Sequence, residues 1–147
     1  MVLLAPEHVL LHPQAQSKRA LITELANVLT SIDVDQVMEV VMAREQLGST
    51  GIGHGVAIPH GRLPDLSAPV VAVARHEAGV DFDAIDGQPV HIVILLLVPD
   101  SDDRQHLELL ASLARSLQQA HFREQVMQVD GVEHLSALFE HEIGARV

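Results

Sequence analysis

An α/β layered sheet is the fold class predicted for these 147 residues. Three observations carry that prediction. Leu21, Ile22, Leu25, Val28 and Leu29 recur at three-to-four spacing, the period of a helix with one buried side. Residues 69–75 and 90–98 are apolar runs of strand length and strand composition. A helical pattern then resumes after Pro99, so helices precede, separate and follow the strands. That alternation fits layers better than a bundle. A chain of this length fits one domain, 1–147, large enough to bury a core.

The elements can be justified in chain order. Ser17 can cap a first helix running to about Leu29, since its hydroxyl can accept a bond from an orphan amide of the first turn. Asp33 can cap a second, with Val37, Val40 and Val41 on its apolar side and an end near Arg44. Residues 56–58 read as a short strand, because Pro59 holds Ile58 away from the helical region. Asp86-Gly87 marks a tight turn before the central strand at 90–98, apolar on both faces and so buried on both. Pro99 and the acidic cluster Asp100, Asp102 and Asp103 open a long helix to about Gln119. Shorter helices are expected at 122–128 and 132–141. No repeat, low-complexity segment or linker divides the chain.

Composition removes several classes of function. Nine Lys and Arg face twenty Asp and Glu, a formal charge of −11, and such a surface repels a phosphate backbone. Nucleic acid is therefore not an expected partner. Trp and Tyr are absent and three Phe remain, which leaves little to stack on bases or sugar rings. Without cysteine there is no disulfide framework and no zinc–thiolate site. The longest fully apolar run, 92–98, is far short of the roughly 20 residues that cross a bilayer. The first residues lack a basic start and are broken by Pro6 and Glu7, so they do not read as a signal peptide. A cytoplasmic domain without membrane insertion is the expectation.

The segment 48–61, Gly-Ser-Thr-Gly-Ile-Gly-His-Gly-Val-Ala-Ile-Pro-His-Gly, holds five of the nine glycines. It is not a P-loop, having no Lys-Ser/Thr pair, and its G-x-x-G-x-G-x-G spacing fails the dinucleotide pattern. A predicted helix precedes it, where both motifs need a strand. Glycine still lets backbone amides approach an anion closely, and Ser49 and Thr50 add hydroxyls. The full charges between Met42 and Pro64 are Arg44, Glu45 and Arg62, a local +1 inside an acidic chain. Phosphate or carboxylate binding fits this segment; so does a set of plain turns.

His60 follows Ile-Pro and precedes Gly61, which leaves room beside the ring, while Pro59 restricts how the histidine is presented. A neutral imidazole is nucleophilic and can accept and hold a phosphoryl group. The phosphorylated product needs donors around it, and this segment offers them. His106 falls at i, i+4, i+7 and i+11 with Leu110, Leu113 and Leu117, near the N-terminus of the long helix, where the dipole favours an anion. That spacing suits a packed core histidine as well as one aimed at a site. His54 lacks metal-helix spacing and nearby carboxylates, so no metal site is expected. His8, His12, His76, His91, His121, His134 and His141 stand singly. No G-x-S-x-G segment supports a hydrolase.

The run from Arg44 through Gly61, continued by residues 82–90, the apolar strand to Pro99 and His106-Leu107, resembles the enzyme IIA family of the bacterial phosphoenolpyruvate phosphotransferase system, fructose/mannitol class. The likeness covers essentially the whole chain and is strongest to the nitrogen-regulatory branch. It implies a mixed β-sheet flanked by helices. It implies that His60 is the phosphorylated nucleophile, accepting from an HPr-type phosphocarrier, that His106 bonds the phosphoryl oxygens, and that Arg44 neutralises them. Ser49 and Thr50 match loop positions near the site. No metal or organic cofactor is implied. His54 stands where relatives commonly carry asparagine, and Arg62 where they often carry lysine.

The implied chemistry is in-line transfer between two histidines, with positioning and charge neutralisation as the catalytic means. The downstream partner would be a regulatory target or, in a sugar-transport enzyme IIA, a IIB domain. A non-catalytic anion- or partner-binding module is the rival of another class. Leu47, Ile52 and Leu63, apolar and close to the glycine-rich segment, are candidates for a docking patch.

Overall fold

A computed structural model describes residues 3–101 and 103–144, with the side chain of Asp103 not included. A 3-10 turn at Pro6–His8 leads into β1 (Val9–Leu10), then α1 (Lys18–Asn27) and α2 (Val34–Leu47). Strands β2 (Gly51–Gly53), β3 (Val56–Ala57), β4 (His60–Leu63), β5 (Val70–Val80) and β6 (Val90–Pro99) follow. Helices α3 (Asp103–Leu117), α4 (Ala120–Gln128) and α5 (Val132–Glu142) close the chain. Both expected caps are present: Ser17 Oγ accepts from Ala20 N at 3.2 Å, and Asp33 Oδ1 from Asp35 N at 2.9 Å. The acidic opening expected for α3 rests partly on Asp102 and the Asp103 side chain, outside the described residues.

The sheet is mixed, as the resemblance implies, with strand order β1-β5-β6-β3-β2 and β4 also on β6. Strand β6 is antiparallel to β5 and parallel to both β3 and β4. Its residues alternate between two cores. Ile92, Ile94, Leu96 and Val98 join Leu109, Leu113, Phe122 and Phe139 beneath α3, α4 and α5. Val93, Leu95 and Leu97 join Leu21, Leu25, Val37, Val41 and Phe82 beneath α1 and α2. A strand clamped between two helical layers has no polar face, which is why its sequence shows no alternation. Truncating a fully buried residue such as Leu95 to alanine costs about 2–5 kcal/mol.

Three elements differ from expectation. The second helix runs past Arg44 to Leu47. The glycine-rich segment is largely strand, since β2 turns back on β3 and then β4 begins. His60 thus opens a strand rather than ending one: Ile58-Pro59 is the joint between β3 and β4, which lie end to end along β6. Pro59 cannot donate to the ladder, but its carbonyl accepts from Leu96 N at 3.0 Å, so the joint stays anchored. Strand β1 and the extension of β5 from Arg75 to Val80, across a register shift, were not legible.

Candidate functional site

Strand β4 positions the site because, among the described strands, it pairs with β6 alone. At that edge the layer of α2 and the layer of α3 meet around a cleft of about 390 Å3. The register pairs His60 with Leu96 and Arg62 with Val98, so both side chains leave the sheet on the α3 side. Gly61 points the other way, toward α2. A Cβ there would lie 2.7 Å from Val40 Cγ2, so glycine at 61 makes room for a helix rather than for the imidazole beside it. This close approach brings the C-terminal turn of α2, with Ala43, Arg44 and Leu47, to the rim of the cleft.

His60 is half-buried, with Nδ1 2.8 Å from the Ile58 carbonyl oxygen. A carbonyl only accepts, so Nδ1 carries the proton and Nε2 keeps its lone pair. His106, the fourth residue of α3, lies on the buried side of that helix with Leu109, Leu113 and Leu117 and is only 6% exposed. It lines the same cleft as His60, and neither of its ring nitrogens has a hydrogen-bond partner among the described residues. A buried polar ring left unpaired costs stability, about 1–3 kcal/mol, unless an incoming group satisfies it. Arg44 Nη1 donates to Gly48 O at 2.8 Å, which closes the end of α2 and leaves its remaining donors at the rim. Arg62 lines the cleft too, and the described lining contains no carboxylate. Two guanidiniums and two imidazoles thus line one cleft of an acidic protein.

Three comparisons with known proteins bear on this geometry. The family described as "Phosphoenolpyruvate-dependent sugar phosphotransferase system, EIIA 2" matches residues 2–142. The chain belongs to that family. It is 39% identical over 137 residues to the nitrogen regulatory protein of Pseudomonas aeruginosa, covering 90% of this chain and 89% of that protein. Its fold superposes on the nitrogen regulatory protein IIA-Ntr of Neisseria meningitidis with a TM-score of 0.87 and 40% identity, covering 92% and 95% of the two chains. The mannitol enzyme IIA of Escherichia coli, solved in complex with phosphorylated enzyme IIB, is 20% identical at a TM-score of 0.78, covering 94% and 97%; it shares the fold.

Within this enzyme IIA chain the cleft gathers His60, His106 and Arg44 but not Ser49 or Thr50. Ser49 Oγ donates to the Phe82 carbonyl, and Thr50, 4% exposed, donates through both N and Oγ1 to the Glu45 carboxylate. Two of the amides that the segment could offer an anion are also engaged within the fold. Gly51 N donates to Ser49 Oγ at 3.0 Å and His54 N to Asp86 Oδ2 at 3.2 Å. Of the five glycines, Gly61 lines the cleft, Gly48 ends α2, and Gly51, Gly53 and Gly55 build the β2–β3 hairpin.

The apolar rim also needs correction. Leu47 is 85% and Ile52 38% exposed, as a docking patch requires, but Leu63 is buried in the α1–α2 core. Leu107, 63% exposed, lines the cleft together with Leu47, and Ile85 is 89% exposed. Glu45 is the residue that sequence reasoning undervalued. In the sequence it enters only as one of the full charges between Met42 and Pro64, yet it continues the buried row Val37, Val41, Glu45 at i, i+4, i+8. That spacing was the available signal.

Proposed function

We propose that His60 carries a phosphoryl group through Nε2, in a phosphotransferase-system enzyme IIA domain spanning 1–147 and linked to nitrogen regulation. The observation that carries this reading is the pairing of a lone pair on His60 Nε2 with a buried His106 that has no hydrogen-bond partner among the described residues, in one cleft also lined by Arg44 and Arg62. The donor is a phosphohistidine protein of the HPr type. Its imidazole–phosphoryl unit enters between Leu47 and Leu107, whose exposed side chains suit a protein surface rather than a free metabolite.

In the transfer, the Nε2 lone pair of His60 forms a new N–P bond as the donor's N–P bond breaks. The bonding pair returns to the donor ring nitrogen. His60 keeps its proton on Nδ1, hydrogen-bonded to Ile58 O, so the step needs no general base. His106, Arg44 and Arg62 supply donors and charge to the three equatorial oxygens, where a loose transition state concentrates its negative charge. Ser49 and Thr50 act at a distance by shaping the segment.

The nitrogen-regulatory likeness supports a regulatory rather than a sugar-dedicated role. No helix among the described residues is long and apolar enough to cross a membrane, which supports a cytoplasmic site of action. Reconstitution tests the reading: phosphoenolpyruvate, enzyme I and an HPr-type carrier should place acid-labile, alkali-stable phosphate on the protein. Failure with every cognate carrier would leave a binding module. Rapid onward transfer to a fructose/mannitol-type IIB domain would favour the sugar-transport reading instead.

A further inference from the structure

We propose that Glu45, which lies outside the cleft, is a positioning residue that fixes the orientation and tautomer of His60 through Thr50 and Ile58. The inference rests on the phosphoryl-carrier reading only for its kinetic consequence. Its basis is an unbroken series of contacts. Lys18 Nζ, on α1, lies 2.7 Å from Glu45 Oε1, a carboxylate whose side chain is 2% exposed. Glu45 in turn accepts from Thr50 N at 3.3 Å and from Thr50 Oγ1. The Thr50 carbonyl accepts from Ile58 N at 3.0 Å, and the Ile58 carbonyl accepts from His60 Nδ1 at 2.8 Å.

Each link has a physical consequence. A buried carboxylate is tolerated only when its lone pairs are satisfied, and the donors of Lys18 and Thr50 do this together. Thr50 is thereby held at one place, and with it the rung that joins Thr50 to Ile58 beyond the β2–β3 ladder. Ile58 then offers its carbonyl to His60 at a fixed point just before Pro59. With that acceptor in place Nδ1 carries the proton and Nε2 faces the cleft as a nucleophile. An imidazole without it carries its proton on either nitrogen, and the Nε2–H form cannot attack. The chain acts by holding atoms in position: Ile58 N–H and Ile58 C=O belong to different peptide groups, so polarisation does not pass directly along it.

The alternative is that Glu45 merely ties α1, α2 and the segment together, which would affect stability and nothing at His60. Long-range 1H–15N NMR of the histidine rings, recorded where imidazoles are neutral, separates the two. In the wild type His60 should show a protonated Nδ1 and an unprotonated Nε2. Glu45→Gln and Thr50→Val should both mix the two tautomers, whereas Thr50→Ser, which keeps the hydroxyl, should retain the wild-type pattern. At saturating phosphorylated carrier, the transfer rate of the first two should fall about tenfold with KM for the carrier little changed. Unaltered His60 ring signals in folded Thr50→Val would overturn the proposal, even if Glu45→Gln proves too unstable to purify. Because the NMR pattern does not require phosphorylation, it tests the positioning even in a protein that accepts no phosphate.

Discussion

The Nδ1 atom of His60 bonds the carbonyl of Ile58, two residues earlier in the chain, at 2.8 Å. Pro59 between them narrows the freedom of the joint, and the rung from Ile58 N to Thr50 O holds the carbonyl in place, so the ring presents Nε2 to the cleft. Phosphate should therefore attach at Nε2. NMR of the 15N-labelled phosphoprotein should show phosphorus coupling to Nε2 and a proton retained on Nδ1; coupling to Nδ1 would require the Ile58 contact to be lost.

His106 trades stability for the site. Its ring has no hydrogen-bond partner among the described residues and is buried beside Leu109 and Leu113 in the α3 core, so His106→Leu should stabilise the unphosphorylated protein by about 1–3 kcal/mol. The same change should slow phosphoryl transfer by about 100-fold, since on the proposed mechanism it removes a donor used in the transition state. Thermal melting and rapid-quench kinetics on one preparation check both signs. A variant that is less stable and equally fast would remove His106 from the site.

Gly61 controls the site from the opposite face. Alanine there places a methyl 2.7 Å from Val40 Cγ2, and the packing of Val40, with the α2 turn that carries it, must give. Such overpacking costs about 1–3 kcal/mol. Because Arg44 rides on that helix, Gly61→Ala should also slow transfer although His60, His106 and Arg44 are all retained. Val40→Ala in the Gly61→Ala background should restore both properties.

His54 carries a testable local strain. Its φ of 59° lies in the left-handed region, at the tip of the β2–β3 hairpin between Gly53 and Gly55, where asparagine is better tolerated. His54→Asn should raise stability by under about 1 kcal/mol and leave transfer unchanged, as seen by denaturant titration and a phosphorylation time course.

How far the sequence was legible depended on the range of the interaction. The caps at Ser17 and Asp33, the buried face of α3 and the central strand β6 follow from local chemistry or short periodicity, and all were readable. The glycine-rich segment was not. Its amides and hydroxyls look free in one dimension, but Glu45, Phe82 and Asp86 reach them from elsewhere in the fold. Gly61 illustrates the same limit: its role depends on Val40, twenty-one residues earlier by number and in contact only once α2 packs on β4. Leu63 was misplaced because the pleat alternates and the register of β4 on β6, which puts Leu63 on the face of Gly61, is a long-range pairing that local sequence does not show. His60, His106 and Arg44 were singled out by local sequence, spacing and charge, and the family resemblance gave them roles; the structure adds that they share one cleft.

The central claim is that His60, and no other of the ten histidines, takes the phosphoryl group. The most direct measurement is the phosphorylation of wild type, His60→Ala and His106→Ala side by side in the phosphoenolpyruvate, enzyme I and HPr-type relay. The account predicts stoichiometric phosphohistidine in the wild type, slower but complete labelling of His106→Ala, and none in His60→Ala at any time. Labelling of a folded His60→Ala protein at the wild-type rate would contradict it.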